Sequence, residues 1–200
     1  MTQLRRLRCL ALTGSAEESA APALPSLAGL AALAALTRLG LRAAYSADDA
    51  PEGDYPEAST LDITEAARLP NLACLLAPAL PALPAELAAA TMLRDLTLLG
   101  ATALRPGPFL SRLERLALKV HADSNLEALA AAGALQDLCL HGGTDADLTD
   151  ALQRRIPALP LPSLRRCGVP QQLARAAAAA LRQKWPALEI YTDIYCDTRV

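Results

Sequence analysis

Leucines recur along this chain at a fixed short spacing. The pattern L-x-x-L-x-L appears in strict form at Leu7-Leu10-Leu12, Leu36-Leu39-Leu41, Leu93-Leu96-Leu98, Leu113-Leu116-Leu118 and Leu135-Leu138-Leu140. Leucine fills about one position in five, so chance supplies roughly 1.7 strict matches, and the pattern is in about threefold excess. Admitting Cys, Val, Ile or Trp adds Leu69-Leu72-Cys74, Leu164-Cys167-Val169 and Trp185-Leu188-Ile190. The starts at 7, 36, 69, 93, 113, 135, 164 and 185 are then spaced by 29, 33, 24, 20, 22, 29 and 21 residues. Alternation within L-x-L puts two leucines of each short segment on one side of a strand and the intervening residues on the other. One such strand cannot bury its apolar side alone, whereas stacked strands share a continuous core. Between them the pattern predicts helices over 26–36, 85–92, 125–134, 147–155 and 171–184, with starts near Ser124 or Asn125 and near Asp145 or Asp147.

Composition narrows the fold class. The 200 residues include 41 Leu and 44 Ala but only 7 Val plus Ile and 6 aromatics. Ordinary sandwiches, barrels and doubly wound sheets lean on β-branched and aromatic strands, and this chain lacks them. Alanine provides slim helices of high propensity, and high apolar content with a net charge of −2 excludes a disordered chain. An all-helical bundle would use the same residues, but it does not account for Pro and Gly recurring between leucine runs at a near-regular period.

On these repeats the chain resembles the leucine-rich-repeat family over essentially its whole length. Leu24-Pro25-Ser26-Leu27-Ala28-Gly29-Leu30 and Leu83-Pro84-Ala85-Glu86-Leu87 look like the family's L-P-x-x-L return stretch. The family's asparagine position, eight residues after each start, holds Ser15, Ala44, Ala77, Ala101, His121, Gly143, Gln172 and Asp193, so no Asn is present there. The stretch from Leu80 to Leu87 is similar to the bacterial-type repeats of secreted ubiquitin-ligase effectors, whose catalytic cysteine lies in a separate helical domain for which this chain has no room. The resemblance implies an α/β leucine-rich-repeat solenoid, a right-handed horseshoe with parallel strands on its concave face and Ala-rich helices on its convex face. It also implies non-catalytic binding of a protein partner. We expect one domain over 1–200 with about eight units. Residues 45–60 carry five carboxylates, no base and almost no hydrophobe, and are expected to form a solvated acidic loop between units.

The remaining chemistry is sparse. Nineteen basic and 21 acidic residues give no electrostatic case for nucleic acid. Five scattered cysteines (Cys9, Cys74, Cys139, Cys167 and Cys196) include no C-x-x-C, which argues against a zinc site or disulfide framework and suits a reducing, cytoplasmic setting. The apolar run after Arg8 is too short for a signal peptide, and the stretch 20–36 is broken by Pro22, Pro25 and Gly29, so no membrane span is expected. Nucleotide-binding, zinc-protease and serine-hydrolase motifs are missing, and neither cofactor nor metal is expected.

Three outward columns follow from the assigned starts. The first holds Cys9, Arg38, Asn71, Asp95, Arg115, Asp137, Arg166 and Ala187; the second Ala11, Gly40, Ala73, Thr97, Ala117, Cys139, Gly168 and Glu189; the third Thr13, Arg42, Leu75, Leu99, Lys119, His141, Pro170 and Tyr191. The small middle column predicts a shallow trough between charged ridges, better suited to a macromolecule than to a small ligand. Arg38, Arg42, Asp95, Arg115, Lys119, Asp137, His141 and Arg166 are the expected contact residues, their mixed signs fitting electrostatic register with a protein. Cys139 and His141 project to the same side, with His121 one unit away, and a thiol-dependent enzyme using this pair is the alternative reading, although no third group orients the histidine. The aromatics Trp185, Tyr191 and Tyr195, with Ile194, are expected to close the last unit. The first leucine strand lies within seven residues of Met1, which suggests an edge covered by a partner, a further segment or self-association.

Overall fold

A computed structural model of the chain describes residues 6–14, 29–43, 63–77, 83, 85–88, 90–101, 103–121, 124–142 and 144–192. Eight strands form one sheet in strictly sequential order: β1 (Cys9–Gly14), β2 (Arg38–Ala43), β3 (Cys74–Ala77), β4 (Asp95–Ala101), β5 (Arg115–Lys119), β6 (Asp137–His141), β7 (Arg166–Val169) and β8 (Glu189–Thr192). Every neighbouring pair is parallel, so each connection must cross back over the sheet before the next strand begins. The protein is therefore α/β with a repeat-like plan.

Backbone bonds set the period. The first amide of each strand from β2 to β8 donates to a carbonyl just ahead of the preceding strand, at 2.9–3.1 Å. Just before each strand a leucine amide closes a tight turn onto the carbonyl three residues earlier: Leu36, Leu72, Leu93, Leu113, Leu135, Leu164 and Leu188 all do so, at 2.9–3.4 Å. Polar side chains stitch successive turns together. Asn71 Nδ2 donates to the Ala34 carbonyl at 2.8 Å, Ser163 Oγ to that of Gly133 at 2.7 Å and Trp185 Nε1 to that of Leu161 at 3.1 Å.

These bonds correct two expected starts. Unit three begins at Leu72 rather than Leu69, because Arg38, Leu39 and Gly40 pair with Cys74, Leu75 and Leu76. Leu69, Leu72 and Leu75 are three apart, so the leucine spacing fits either frame; Ala77, fully buried, takes the final core position. Leu75 thus points inward, with 0% exposure, and Asn71 and Ala73 precede the strand. The last unit begins at Leu188, one residue closer to its strand than in the other units. Glu189 therefore pairs with Arg166 and Tyr191 with Gly168.

The crossovers are shorter than expected. The α-helices are α1 (Thr64–Ala67), α2 (Ala85–Ala88), α3 (Asp145–Asp150), α4 (Ile156–Ala158) and α5 (Ala174–Lys184). Single 3₁₀ segments at Leu30–Ala32, Pro108–Arg112, Leu126–Ala131 and Gln171–Leu173 complete the set. Strand-to-strand periods of 20–22 residues across β3 to β6 leave room for about one turn, and 3₁₀ geometry gains more rise per residue than an α-helix. Of the expected helices only 171–184 keeps most of its α-helical length, as α5. The fourth begins at Asp145 and is capped by Thr144, whose side chain accepts from the Asp147 amide in a reciprocal capping box. Its run widens into a π turn over Ala151–Arg155 just before Pro157, which has no N–H for the helical ladder.

Inward strand leucines and crossover residues such as Ala66, Leu87, Phe109, Leu129, Leu152 and Leu181 form one core cluster. The core therefore lies between the sheet and its crossovers, and the other face of the sheet carries no helix among the described residues. No described helix is long and apolar enough to cross a membrane. The acidic stretch 45–60, Ile194 and Tyr195 lie outside the described residues.

Candidate binding face

Strand residues that alternate with the core leucines point to the open face, and parallel register lines them up in rows. The first row runs Cys9, Arg38, Cys74, Asp95, Arg115, Asp137, Arg166, Glu189. From Asp95 onward the charge changes sign at every strand. Arg115 lies 3.8 Å from Asp95, and Arg166 reaches Asp137 at 3.1 Å and Glu189 at 3.5 Å. Neighbouring strands stand about 4.8 Å apart, so carboxylates and guanidiniums in adjacent strands meet with little adjustment. The expected contact residues Asp95, Arg115, Asp137 and Arg166 are thus brought together as a ladder that neutralises itself. Arg38 stands in the same row beyond Cys74.

Burial and neighbours set the electrostatics of this row. Burial raises the Asp95 carboxyl above the ordinary carboxylate range, opposed by Arg115 and Arg38 and reinforced by the like charge of Asp137. Burial, with Asp95 adding, pushes the Cys74 thiol up to about 11.

The middle row is Ala11, Gly40, Leu76, Thr97, Ala117, Cys139, Gly168, Tyr191. It is as small as expected apart from Leu76 and Tyr191, which the corrected starts place here. Leu76, Ala117 and Cys139 are buried yet stand outside the core cluster, forming a second, thin apolar line on the open face. The sixth strand projects Cys139 and His141 to this face, as expected, with Cys139 only 6% exposed.

The third row is less regular. Lys119 pairs with His141, but a bulge after Leu98 shifts the partner of Lys119 to Ala101 in place of Leu99. Gly142 follows with φ +61°, and a Cβ there would lie 2.5–2.9 Å from the Lys119 stem, so glycine lets that stem lie across the strand end. His121 lies two residues beyond β5, its amide donating to Ser124 Oγ at 3.0 Å. The Nε2 atoms of His121 and His141 are both buried without a hydrogen-bond partner. Arg42 pairs by backbone with Thr13, and its side chain lies outside the described residues. No group of three or more His, Cys, Asp or Glu suited to a metal occurs among the described residues.

Tyr191 is the face residue whose role sequence reasoning missed. Expected in the third outward column and among the aromatics that close the last unit, it stands in the middle row of the open face, where its hydroxyl donates to Asp137 Oδ1 at 2.9 Å and the Arg166 guanidinium stacks 4.8 Å from its ring centroid. Gly168 beneath it was the available signal, since a glycine inside a strand often marks a close approach. No protein-family model matches the chain, and no curated protein matches it.

Proposed function

We propose that the chain is a leucine-rich-repeat solenoid, a right-handed horseshoe, that binds a protein partner non-catalytically through the concave side of its sheet. The observation that carries the reading is the open face: two registered rows of side chains and part of a third, uncovered by any described helix. The sequential parallel order of eight short strands and the leucine spacing support the family assignment. A preformed surface loses little conformational freedom on binding. Arg38, Arg115 and Lys119, with His141 beside Lys119, supply the charge through which a partner is steered.

Arg115 suits a test, being 69% exposed and only 3.8 Å from its partner carboxylate. Partner captured by immobilised protein is expected to bind Arg115→Glu/Lys119→Glu at least about tenfold more weakly, while Arg182→Glu on α5 leaves binding unchanged. Equal loss in both variants, or in neither, would exclude the face as the binding surface.

A second reading rests on β1. Leu10 and Leu12 are only part-buried, whereas their partners Leu39 and Leu41 are fully buried. Self-association through this edge predicts a dimer in sedimentation experiments that Leu10→Lys dissolves; a concentration-independent monomer would eliminate it.

A further inference from the structure

We propose that Tyr191 is a lid on the open face whose swing away from Asp137 controls access to the Cys139 thiol. Cys139, Gly168 and Tyr191 stand side by side in the middle row of β6, β7 and β8. A Cβ on Gly168 would lie 2.8 Å from Cε2, Cζ and Oη of Tyr191. The ring therefore lies directly across β7, over the one residue type that leaves it room. Its hydroxyl reaches Asp137 in β6, two strands from its own. Arg166 bonds the other oxygen of that carboxylate at 3.1 Å while stacking on the ring. Three side chains from three strands thus form an arch whose far end rests on β6. Cys139 faces the same side two residues from Asp137, and it is nearly solvent-free although no described helix covers this face. Burial, together with Cys139 and Asp137, raises the Tyr191 pKa, which keeps the hydroxyl protonated as the donor that fastens the arch.

Opening of the lid is local. A swing of the ring breaks one hydrogen bond and one stacking contact, with no core leucine exposed. Cys167, in β7, supplies an internal reference. It points into the core, where burial pushes its thiol up to about 12, and it reacts only when the core opens.

The test is timed alkylation of the full native chain at about pH 8, with each cysteine followed by peptide mass spectrometry. Exposed Cys9 is expected to react first and Cys139 faster than Cys167. Tyr191→Phe, which keeps the ring and removes the phenol bond, is expected to speed Cys139 roughly fivefold. Gly168→Ala, which displaces the ring, and Tyr191→Ala are expected to speed it further, all with the Cys167 rate unchanged. If Cys139 reacts no faster than Cys167 in the native chain, or Tyr191→Phe leaves its rate unchanged, the lid is wrong. Equal acceleration of both thiols would mean a weakened fold and would overturn it as well.

Discussion

Asp95 shows what a carboxylate experiences in a registered row. Its side chain is two-thirds covered, and burial outweighs the pull of Arg115 and Arg38 in raising its pKa. The folded state therefore holds the Asp95 proton more tightly than the unfolded state does. Unfolding releases that proton in the window between the ordinary value of 3.8 and the raised one, so this residue's contribution to stability falls as pH rises through that window. Urea midpoints across the acid range are expected to show the native chain losing stability relative to Asp95→Asn as pH increases. A difference between the two that stays flat, or rises, would contradict the assignment. The sequence placed Asp95 on the outer side of its strand through Leu93, Leu96 and Leu98, but its burial depends on neighbours in β3 and β5 that only register brings together.

At the scale of elements, the third unit is the informative one. Its leucines at 69, 72 and 75 satisfy two frames three residues apart, and the local pattern holds nothing that chooses between them. Pairing of Arg38 with Cys74 chooses the later frame, which turns Leu75 inward and puts the small Ala77 at the end of the core row. Leu75→Ala is accordingly expected to cost about 2–5 kcal/mol in denaturant unfolding, as for other buried leucines. A loss below about 1 kcal/mol, ordinary for a surface position, would restore the earlier frame. The strict repeats needed no such arbitration: β2, β4, β5 and β6 stand where Leu36, Leu93, Leu113 and Leu135 put them. Helix type was less legible. Alanine-rich stretches favour α-helix by propensity, yet over Leu126–Ala131 the crossover is 3₁₀, because the distance to the next strand, and not propensity, limits the turns available.

For the whole molecule, the alternating row has a consequence that an isolated ion pair lacks. Exchanging Asp137 with Arg166 would leave a lone pair intact. Here Asp137→Arg sets a second guanidinium beside Arg115, and Arg166→Asp sets a carboxylate beside Glu189. The exchange is expected to destabilise the chain by roughly 2–3 kcal/mol, from two lost neighbours, two like-charge contacts and the lost Tyr191 contacts to Asp137 and Arg166, and the charge part of the loss to shrink at high salt. Because the Arg166 side chain is 47% exposed and that of Asp137 16% exposed, each pair alone is worth under about 1 kcal/mol. Urea unfolding of the exchanged chain at low and high salt measures both effects, and a salt-independent loss would point to packing instead. The sign alternation was present in the sequence at Asp95, Arg115, Asp137 and Arg166, but the last unit's shifted start concealed Glu189 and left the row looking like a set of free contact residues.

The leucine period by itself determined that the chain builds parallel strands in order, that the inner leucines form a core, and that a small-residue row lies between polar ones on the other side. Those features follow from alternation along a strand and from the need to bury one side of it, and both are local. Tertiary structure decided the frame of the third and last units, the pairing of charges along the first row, and the laying of Tyr191 across Gly168 onto Asp137. Each depends on which residues of different strands come to lie side by side, and that is set by backbone hydrogen bonds between units that no single repeat encodes.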